Sequence, residues 1–308
     1  MHDHDHYAHA RGVERAGEQR RLVLALCLAL VAMVAEAAGG WFANSLALLS
    51  DAAHMIADAG AIGLSLFALR IGTRPADLKR TYGYYRLEIL AALVNGALLL
   101  AIAAGIAVEG YHRLLHPEPV HVGVVVGLAC FGIVLNATGM WLTHAGEGAS
   151  MNLRSTFLHL AGDLLNSVGV LASAAIIQFT GQLSADPIIS FVIAATIVWS
   201  AIRLCKEAVD VLLEGAPGHI PVSEVSGALE AVPGVTAVHD LHVWTITSGL
   251  IALSCHIVVI CEGPNCRTHD QILTDAKAVL RDRFAIEHTT IQFESPSYKH
   301  DGHQEVVH

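Results

Sequence analysis

Charged side chains are scarce in this chain of 308 residues. Asp, Glu, Lys and Arg make up 15% of it, whereas 54% of the residues are hydrophobic. Ordinary soluble domains carry about 25% charged residues, and the mean hydropathy here is +0.52. The apolar residues fill the first two thirds, and charge returns after about residue 206. This distribution argues against an ordinary soluble protein and predicts a polytopic membrane domain followed by a soluble tail domain.

Two catalytic motifs are missing from the sequence. It contains no GxxxxGK[ST] phosphate loop, which argues against a transporter driven by ATP. It also contains no HExxH, the motif that would supply a zinc hydrolase with two ligands and a general base. An intramembrane zinc hydrolase therefore remains only as an unfavoured alternative, and we do not expect an enzyme.

The cysteines form no recognisable framework. Three lie in apolar spans and three in the tail domain, as expected for a reducing compartment: Cys27, Cys130, Cys205, Cys255, Cys261 and Cys266. The spacing of CEGPNC differs from the CxxC of a zinc ribbon, so Cys261 and Cys266 are predicted to be reduced loop thiols. A cleavable signal peptide is not expected, because the first apolar span follows a charged, His-rich segment.

Six apolar runs are each near the roughly 20 residues that a bilayer core requires. They cover about residues 22–42, 46–69, 87–111, 122–142, 155–179 and 187–204. The predicted domains are a His-rich disordered tail (1–20), a six-helix transmembrane domain (21–213), a cytoplasmic α+β domain (214–295) and a C-terminal tail (296–308). The first tail begins MHDHDHYAHA, a composition that either captures divalent metal loosely or is simply solvated.

Basic residues predict the orientation in the membrane. They flank the first span and fill the loops after spans two and four: Arg11, Arg15, Arg20, Arg21, Arg70, Arg74, Lys79, Arg80, Arg86 and Arg154. On the opposite side, only Arg113 lies near a helix end. The positive-inside rule therefore predicts that both termini are cytoplasmic. We expect the protein to cross a cell inner membrane several times.

The tail domain is acidic and alternates helix with strand. From Glu214 onward there are twelve Asp and Glu against five Lys and Arg, which argues against nucleic acid as a partner. PVSEVSGALEAV is predicted as a helix, AVHDLHVWTIT and LIALSCHIVVI as a hairpin, residues 268–283 as a helix and HTTIQFE as a strand. The order αββαβ predicts a small sheet with helices on one face.

Two apolar spans carry the same pair of ligand types. His54 and Asp58 lie four residues apart in span two, and His159 and Asp163 lie four apart in span five. On a helix this spacing puts both side chains on one face. One imidazole and one carboxylate from each of two facing helices form a tetrahedral nitrogen/oxygen set suited to zinc. Ionisable groups inside a membrane are costly and usually mark a transport path.

Other polar residues in the spans leave two interpretations open. Asp51 could relay protons or metal toward the site, or it could cap a helix beside Ser50 at the membrane interface. Glu36 and Glu109 favour structural pairing over a proton pathway. Four asparagines could support the ligands, but polar contacts between helices are the favoured interpretation: Asn44, Asn95, Asn136 and Asn166.

Spans two and five, with three further motifs, resemble the cation diffusion facilitator family along nearly the whole chain. These motifs are SLALLSDAAHMIAD, YGYYRLEILAALVN, HLAGDLLNSVGV, LLEGAP and VHDLHVWTITSG. Within that family the chain is most similar to bacterial cobalt–zinc–cadmium resistance transporters. The resemblance implies a homodimer that exports divalent metal from the cytosol in exchange for protons, with a cytoplasmic metallochaperone-like domain.

The resemblance also implies roles for individual residues. His54, Asp58, His159 and Asp163 match the family's transport ligands, and Arg86 and Glu214 match a charge pair that bridges two protomers near the membrane surface. In the tail, a second zinc site is implied at His239, His256 and Glu294, with His288 nearby. His242 is not counted as a ligand, because three residues along a strand lead to the opposite face. His269 occupies a place where some relatives have a further ligand.

We therefore expect a Zn²⁺ efflux transporter that works as a proton antiporter by alternating access. Cd²⁺, Co²⁺ and Ni²⁺ remain open as further substrates. Metal needs neutral imidazole and ionised carboxylate, so protons compete for the same groups. A membrane-anchored zinc sensor is the other alternative, against which the ligand pairs in spans two and five argue.

Overall fold

A computed structural model of the protein describes residues 3–72, 77–144, 151–247, 249–260 and 267–298. Ser248, Cys261, Cys266 and residues 299–308 of the predicted C-terminal tail lie outside this part of the chain. The chain forms two compact units, one of residues 1–63 and 95–203 and one of residues 64–94 and 204–308.

Six long helices come first. They are α1 (Asp3–Ala43), α2 (Leu46–Gly72), α3 (Arg86–Leu115), α4 (Val122–Thr143), α5 (Met151–Thr180) and α6 (Ala185–Leu212). Within the described part of the chain, five of them contain a stretch long and apolar enough to cross a membrane: Arg20–Ala43, Arg86–Leu115, Val122–Thr143, Leu153–Thr180 and Ala185–Leu212. The helix outside this set is α2, which carries Asp51, His54 and Asp58. Its 27 residues would reach about 40 Å, and a sixth crossing by α2 stays a prediction.

The start of α1 differs from the sequence-based expectation. The helix begins at Asp3, inside the segment that we predicted to be disordered without a ligand. Ala, Arg, Glu and Gln are frequent between residues 8 and 20, and these are favourable helix formers. They allow the apolar helix of residues 20–43 to continue toward the N-terminus.

Small residues line the contacts among the membrane helices. Buried alanines include Ala43, Ala47, Ala103, Ala129, Ala174 and Ala201. Such residues let helix backbones approach closely where apolar burial alone gives no preference for protein over lipid. Large apolar side chains, including Trp41, Trp141, Phe179 and Trp199, are instead more than three quarters exposed. This inside-out distribution is what a lipid-facing surface requires.

The tail unit confirms the predicted αββαβ order. It consists of α7 (Val222–Glu230), β1 (Val235–Thr247), β2 (Leu250–Val259), α8 (His269–Phe284) and β3 (His288–Glu294). The sheet order is β1-β2-β3. β1 and β2 pair antiparallel, and β3 pairs parallel with β2 after the crossover through α8.

Local sequence fixes the ends of α8. The Thr268 side chain accepts a hydrogen bond from the Gln271 backbone N–H, and the Gln271 side chain bonds back to the Thr268 backbone. This capping box satisfies amide groups that a helix start leaves without partners. Ala285 ends the helix with φ of 55°. Ile272 and Leu280 are thereby held in a core that they share with α7 and the sheet.

Candidate metal sites

The four ligands predicted in the membrane domain come together between α2 and α5. His54 Nε2 lies 3.6 Å from Asp58 Oδ2, and His159 Nε2 lies 3.6 Å from Asp163 Oδ2, as four-residue spacing on a helix dictates. Between the helices, Asp58 Oδ2 is 3.8 Å from His159 Nδ1, and the two imidazole centroids are 6.5 Å apart. We call these four residues the membrane cluster.

Burial within the membrane cluster is uneven. The Asp163 side chain is 1% exposed and that of His54 is 18% exposed, whereas Asp58 and His159 are 30% and 44% exposed. His54 Nδ1 and Asp163 Oδ2 are buried without a hydrogen-bond partner among the described residues. A buried polar atom left in this state costs about 1–3 kcal/mol. Such atoms, one nitrogen and one oxygen, fit the donor set of a divalent metal ion.

The two helices that carry the membrane cluster also share a buried polar contact. Asn166 Nδ2 on α5 donates a 3.0 Å hydrogen bond to Asp51 Oδ1 on α2. Glu36 and Asp51 are each 1% exposed. The interpretation of Asp51 as an interfacial helix cap is therefore wrong, because α2 begins at Leu46 and Asp51 lies inside it.

The start of α2 is held by a residue that sequence reasoning missed. Asp186, at the start of α6, accepts hydrogen bonds from Ser45 Oγ at 2.6 Å and from Leu46 N at 2.7 Å. Asp186 is 1% exposed, so these bonds are shielded from water. An acidic residue opening an apolar span was the signal in the sequence, because a buried charge needs partners. The contact fixes the helix that carries His54 and Asp58.

A second cluster, which we call the tail cluster, lies on the sheet. His239 and His256 are directly opposite each other on β1 and β2, and their ring centroids are 5.2 Å apart. Glu294, at the end of β3, places Oε2 3.0 Å from His239 Nε2 and Oε1 2.9 Å from His256 Nδ1. Among the described residues, only these three bring three ligand atoms within 4.8 Å of one another. In the membrane cluster, no three ligand atoms lie this close together.

A bulge in β1 adds a carboxylate beside the tail cluster. The strand register shifts between His239 and His242, and Asp240 has φ of 49°. Asp240 places Oδ2 3.6 Å from His256 Nε2 and Oδ1 3.1 Å from His242 Nε2. His242 is thus an outer partner of Asp240, not a member of the cluster. Simple strand alternation could not reveal Asp240, because a bulge changes which face a side chain reaches.

The expectation that His288 lies near the tail cluster is wrong. It begins β3 opposite Ala252, whereas Glu294 ends the strand opposite Val258. Six residues of strand separate the two by about 20 Å, and the His288 ring packs against Tyr82 with centroids 5.5 Å apart. His269 also lies outside the cluster, with its ring stacked on Phe293 at 5.0 Å.

The single cysteine of the described sheet is no candidate ligand. Cys255 lies on β2 next to His256 but is 1% exposed and packs in the core. Burial raises the pKa of its thiol to about 12. Metals bind the thiolate, and this thiol stays protonated at neutral pH.

Arg86 and Glu214 form an ion pair within one chain. Arg86 Nη2 donates to Glu214 Oε1 at 2.8 Å, and both side chains are well exposed at 42% and 60%. An exposed pair of this kind contributes at most about 1 kcal/mol. The predicted bridge between two protomers stays a prediction.

Similar proteins extend over nearly the whole chain. The metal cation efflux system protein CzcD of Cupriavidus metallidurans is 40% identical over 293 residues, which cover 95% of this chain and 89% of that protein. The zinc transporter ZitB of Escherichia coli is 37% identical over 303 residues, covering 97% and 95%. A cadmium, cobalt and zinc/H(+)-K(+) antiporter of Bacillus velezensis is 35% identical over 305 residues, covering 98% and 94%.

Among solved structures, the chain is similar to the metal-bound C-terminal domain of the CzcD transporter from Cupriavidus metallidurans. The two are 39% identical over 24% of this chain and 99% of the solved domain, with a TM-score of 0.22. Two family profiles also match. The cation efflux transmembrane domain matches residues 22–213, and the cytoplasmic domain of cation efflux proteins matches residues 217–296. With membrane and tail domains both matched, the chain belongs to the cation efflux family of membrane transporters.

Proposed function

We propose that this protein exports Zn²⁺ across a membrane in exchange for protons, with the membrane cluster as the transport site. The observation that carries the proposal is the convergence of two His-xxx-Asp pairs from α2 and α5, with Asp163 buried inside the helix assembly. The names of the relatives support cation efflux, zinc as a substrate and antiport.

The donor set favours zinc. Two imidazole nitrogens and two carboxylate oxygens match its tetrahedral preference. A softer thiolate ligand would favour cadmium, and the four residues of the cluster include none. Cadmium and cobalt remain further substrates to test, because one relative is named as a cadmium, cobalt and zinc antiporter. Nickel is a third, given its affinity for imidazole.

The uneven burial suggests an order of binding. An ion reaches the accessible side chains of Asp58 and His159 first, and it then engages the buried Asp163 carboxylate and His54 imidazole. All four groups bind metal only in their deprotonated forms. Protons arriving when the site faces the other side therefore displace the ion, which couples the two fluxes through one set of atoms.

The assembly and topology are also part of the proposal. We expect a homodimer in a cell inner membrane. The distribution of Lys and Arg supports an orientation with both termini in the cytoplasm. The tail cluster would bind a second Zn²⁺, since His239, His256 and Glu294 already face one another within hydrogen-bond distance. That ion would offset the acidity of two tail domains that approach each other. The pair of Arg86 and Glu214 would then link tail closure to the membrane helices.

Flux measurements in proteoliposomes test the proposal. We expect zinc uptake that accelerates when the lumen is more acidic than the bath, with release of luminal protons that scales with zinc taken up. Cadmium, cobalt and nickel, each supplied in turn, give the order of preference. Zinc uptake indifferent to the pH gradient would contradict antiport, and absence of uptake with intact binding would favour a sensor.

A further inference from the structure

Two histidines lie on one face where α3 ends, His112 in its last turn and His116 directly after Leu115. His112 and His116 are four residues apart, and the backbone N–H of His116 donates to the His112 carbonyl at 2.9 Å, so the helical turn is intact. Their ring centroids are 5.2 Å apart with the planes inclined by 50°, and both residues are exposed. Two imidazoles at this spacing on a helix are the arrangement by which HExxH proteins hold zinc.

The positive charge between the two histidines is directed away from them. Arg113 is 9% exposed and donates to Glu109 Oε1 at 2.8 Å and to the carbonyl and side-chain oxygens of Asn44 at 2.8 and 3.0 Å. Glu109 therefore has the structural pairing that we expected. The pairing with Glu109 offsets the positive charge of the guanidinium next to the His112–His116 face.

A carboxylate lies beside this face. Glu118 accepts a 2.9 Å hydrogen bond from Asn44 Nδ2, and Arg113 lies 3.7 Å from its Oε2. Glu118 follows His116 by two residues, so its carboxylate adds a negative charge to the same short segment and favours a bound cation.

We propose that His112 and His116 chelate a divalent transition-metal ion at this end of α3, with Glu118 as a neighbouring negative charge and water in the remaining coordination positions. This site is separate from the membrane and tail clusters. It takes ions that prefer imidazole, such as Zn²⁺, Co²⁺ and Ni²⁺.

The role of the site rests on the proposed function, although binding itself does not. In the predicted orientation, α3 ends on the side to which metal is exported. An ion leaving a transport path needs sites that hold it weakly enough to let it go. Two protein ligands give weaker binding than the four of the membrane cluster, as an exit site requires.

Residue-resolved carbethoxylation of histidines tests the site. The full-length protein is treated with diethyl pyrocarbonate with and without zinc alone, and modification of each histidine is read by peptide mass spectrometry. At free zinc of roughly ten times the Kd, the modification rates of His112 and His116 should fall about tenfold, because the unoccupied fraction is 1/(1 + [L]/Kd).

The variants separate chelation from other effects. In His116→Ala, zinc should no longer protect His112. His121→Ala is a matched change in the same segment between α3 and α4, and it should leave protection intact. Asp163→Ala should also keep it, so failure of the transport proposal would not imitate failure of this one. Equal modification of His112 with and without zinc, or protection that survives His116→Ala, would overturn the proposal.

Discussion

Zinc should stabilise the isolated tail domain by an amount that the structure allows us to estimate. The fragment from Glu214 to the C-terminus has its own core, built on residues such as Leu229 and Ile257, and His239, His256 and Glu294 form a nearly preassembled ligand set. At free zinc of about 100 times the Kd, binding only to the folded state adds about 2.7 kcal/mol of stability. For a domain of roughly 80 residues, this raises the Tm by roughly 10–20 °C.

Thermal unfolding followed by circular dichroism measures this shift. The unmutated fragment is heated with zinc and with a chelator, and the difference between the two Tm values is compared across variants. His256→Ala should abolish most of the difference, because two ligands remain and the His256 contact with Glu294 is lost. His242→Ala is the matched control, since this histidine contacts Asp240 outside the cluster, and it should retain the full zinc response.

Sedimentation equilibrium on the same samples measures association. If bound zinc offsets repulsion between acidic tails, the dimer dissociation constant should fall when zinc is added. An unmutated fragment whose Tm does not respond to micromolar zinc would refute the tail cluster as a zinc site. A shifted Tm with unchanged association would confine zinc to a role within each tail domain.

Three further predictions concern the membrane domain and the N-terminus. His54→Asp should raise cadmium flux relative to zinc flux, because it replaces a borderline nitrogen by oxygen and loosens the tetrahedral preference; an unchanged flux ratio would count against His54 as a selectivity ligand. Deleting residues 2–9 should shift the metal dependence of transport modestly and leave maximal flux near wild type, whereas complete loss would make this tract part of the pathway. Asp186→Ala should destabilise the protein by roughly 1–3 kcal/mol in detergent unfolding, because Ser45 and Leu46 lose a buried acceptor; Glu109→Ala, with its half-exposed side chain, should cost less.

Local spacing was sufficient to predict which side chains come together in the membrane cluster, and their role as metal ligands stays a prediction. The four-residue repeats at His54 and His159 each place a carboxylate one turn away on the same helix face, and only the pairing of the two helices had to be inferred. The tail fold followed for a similar reason, because alternation in β1 and β2 and the capping signal at Thr268 are local features.

Longer-range register could not be predicted in the same way. The family resemblance grouped His288 with Glu294, but the direction of β3 along β2 separates them by the strand's length. Asp240 was missed because the bulge that redirects it appears only when two strands are paired. Asp186 acts on α2 across 140 residues of sequence, a distance over which no local pattern operates.

The central claim is that metal crosses the membrane through the cluster formed by α2 and α5. Its most direct test is zinc flux into proteoliposomes containing equal amounts of folded wild-type, Asp163→Ala or Glu109→Gln protein, the last removing a membrane-helix carboxylate outside the cluster. We predict that Asp163→Ala abolishes flux, because a four-ligand site has no spare donor, and that Glu109→Gln retains it. Wild-type flux through Asp163→Ala would contradict the site.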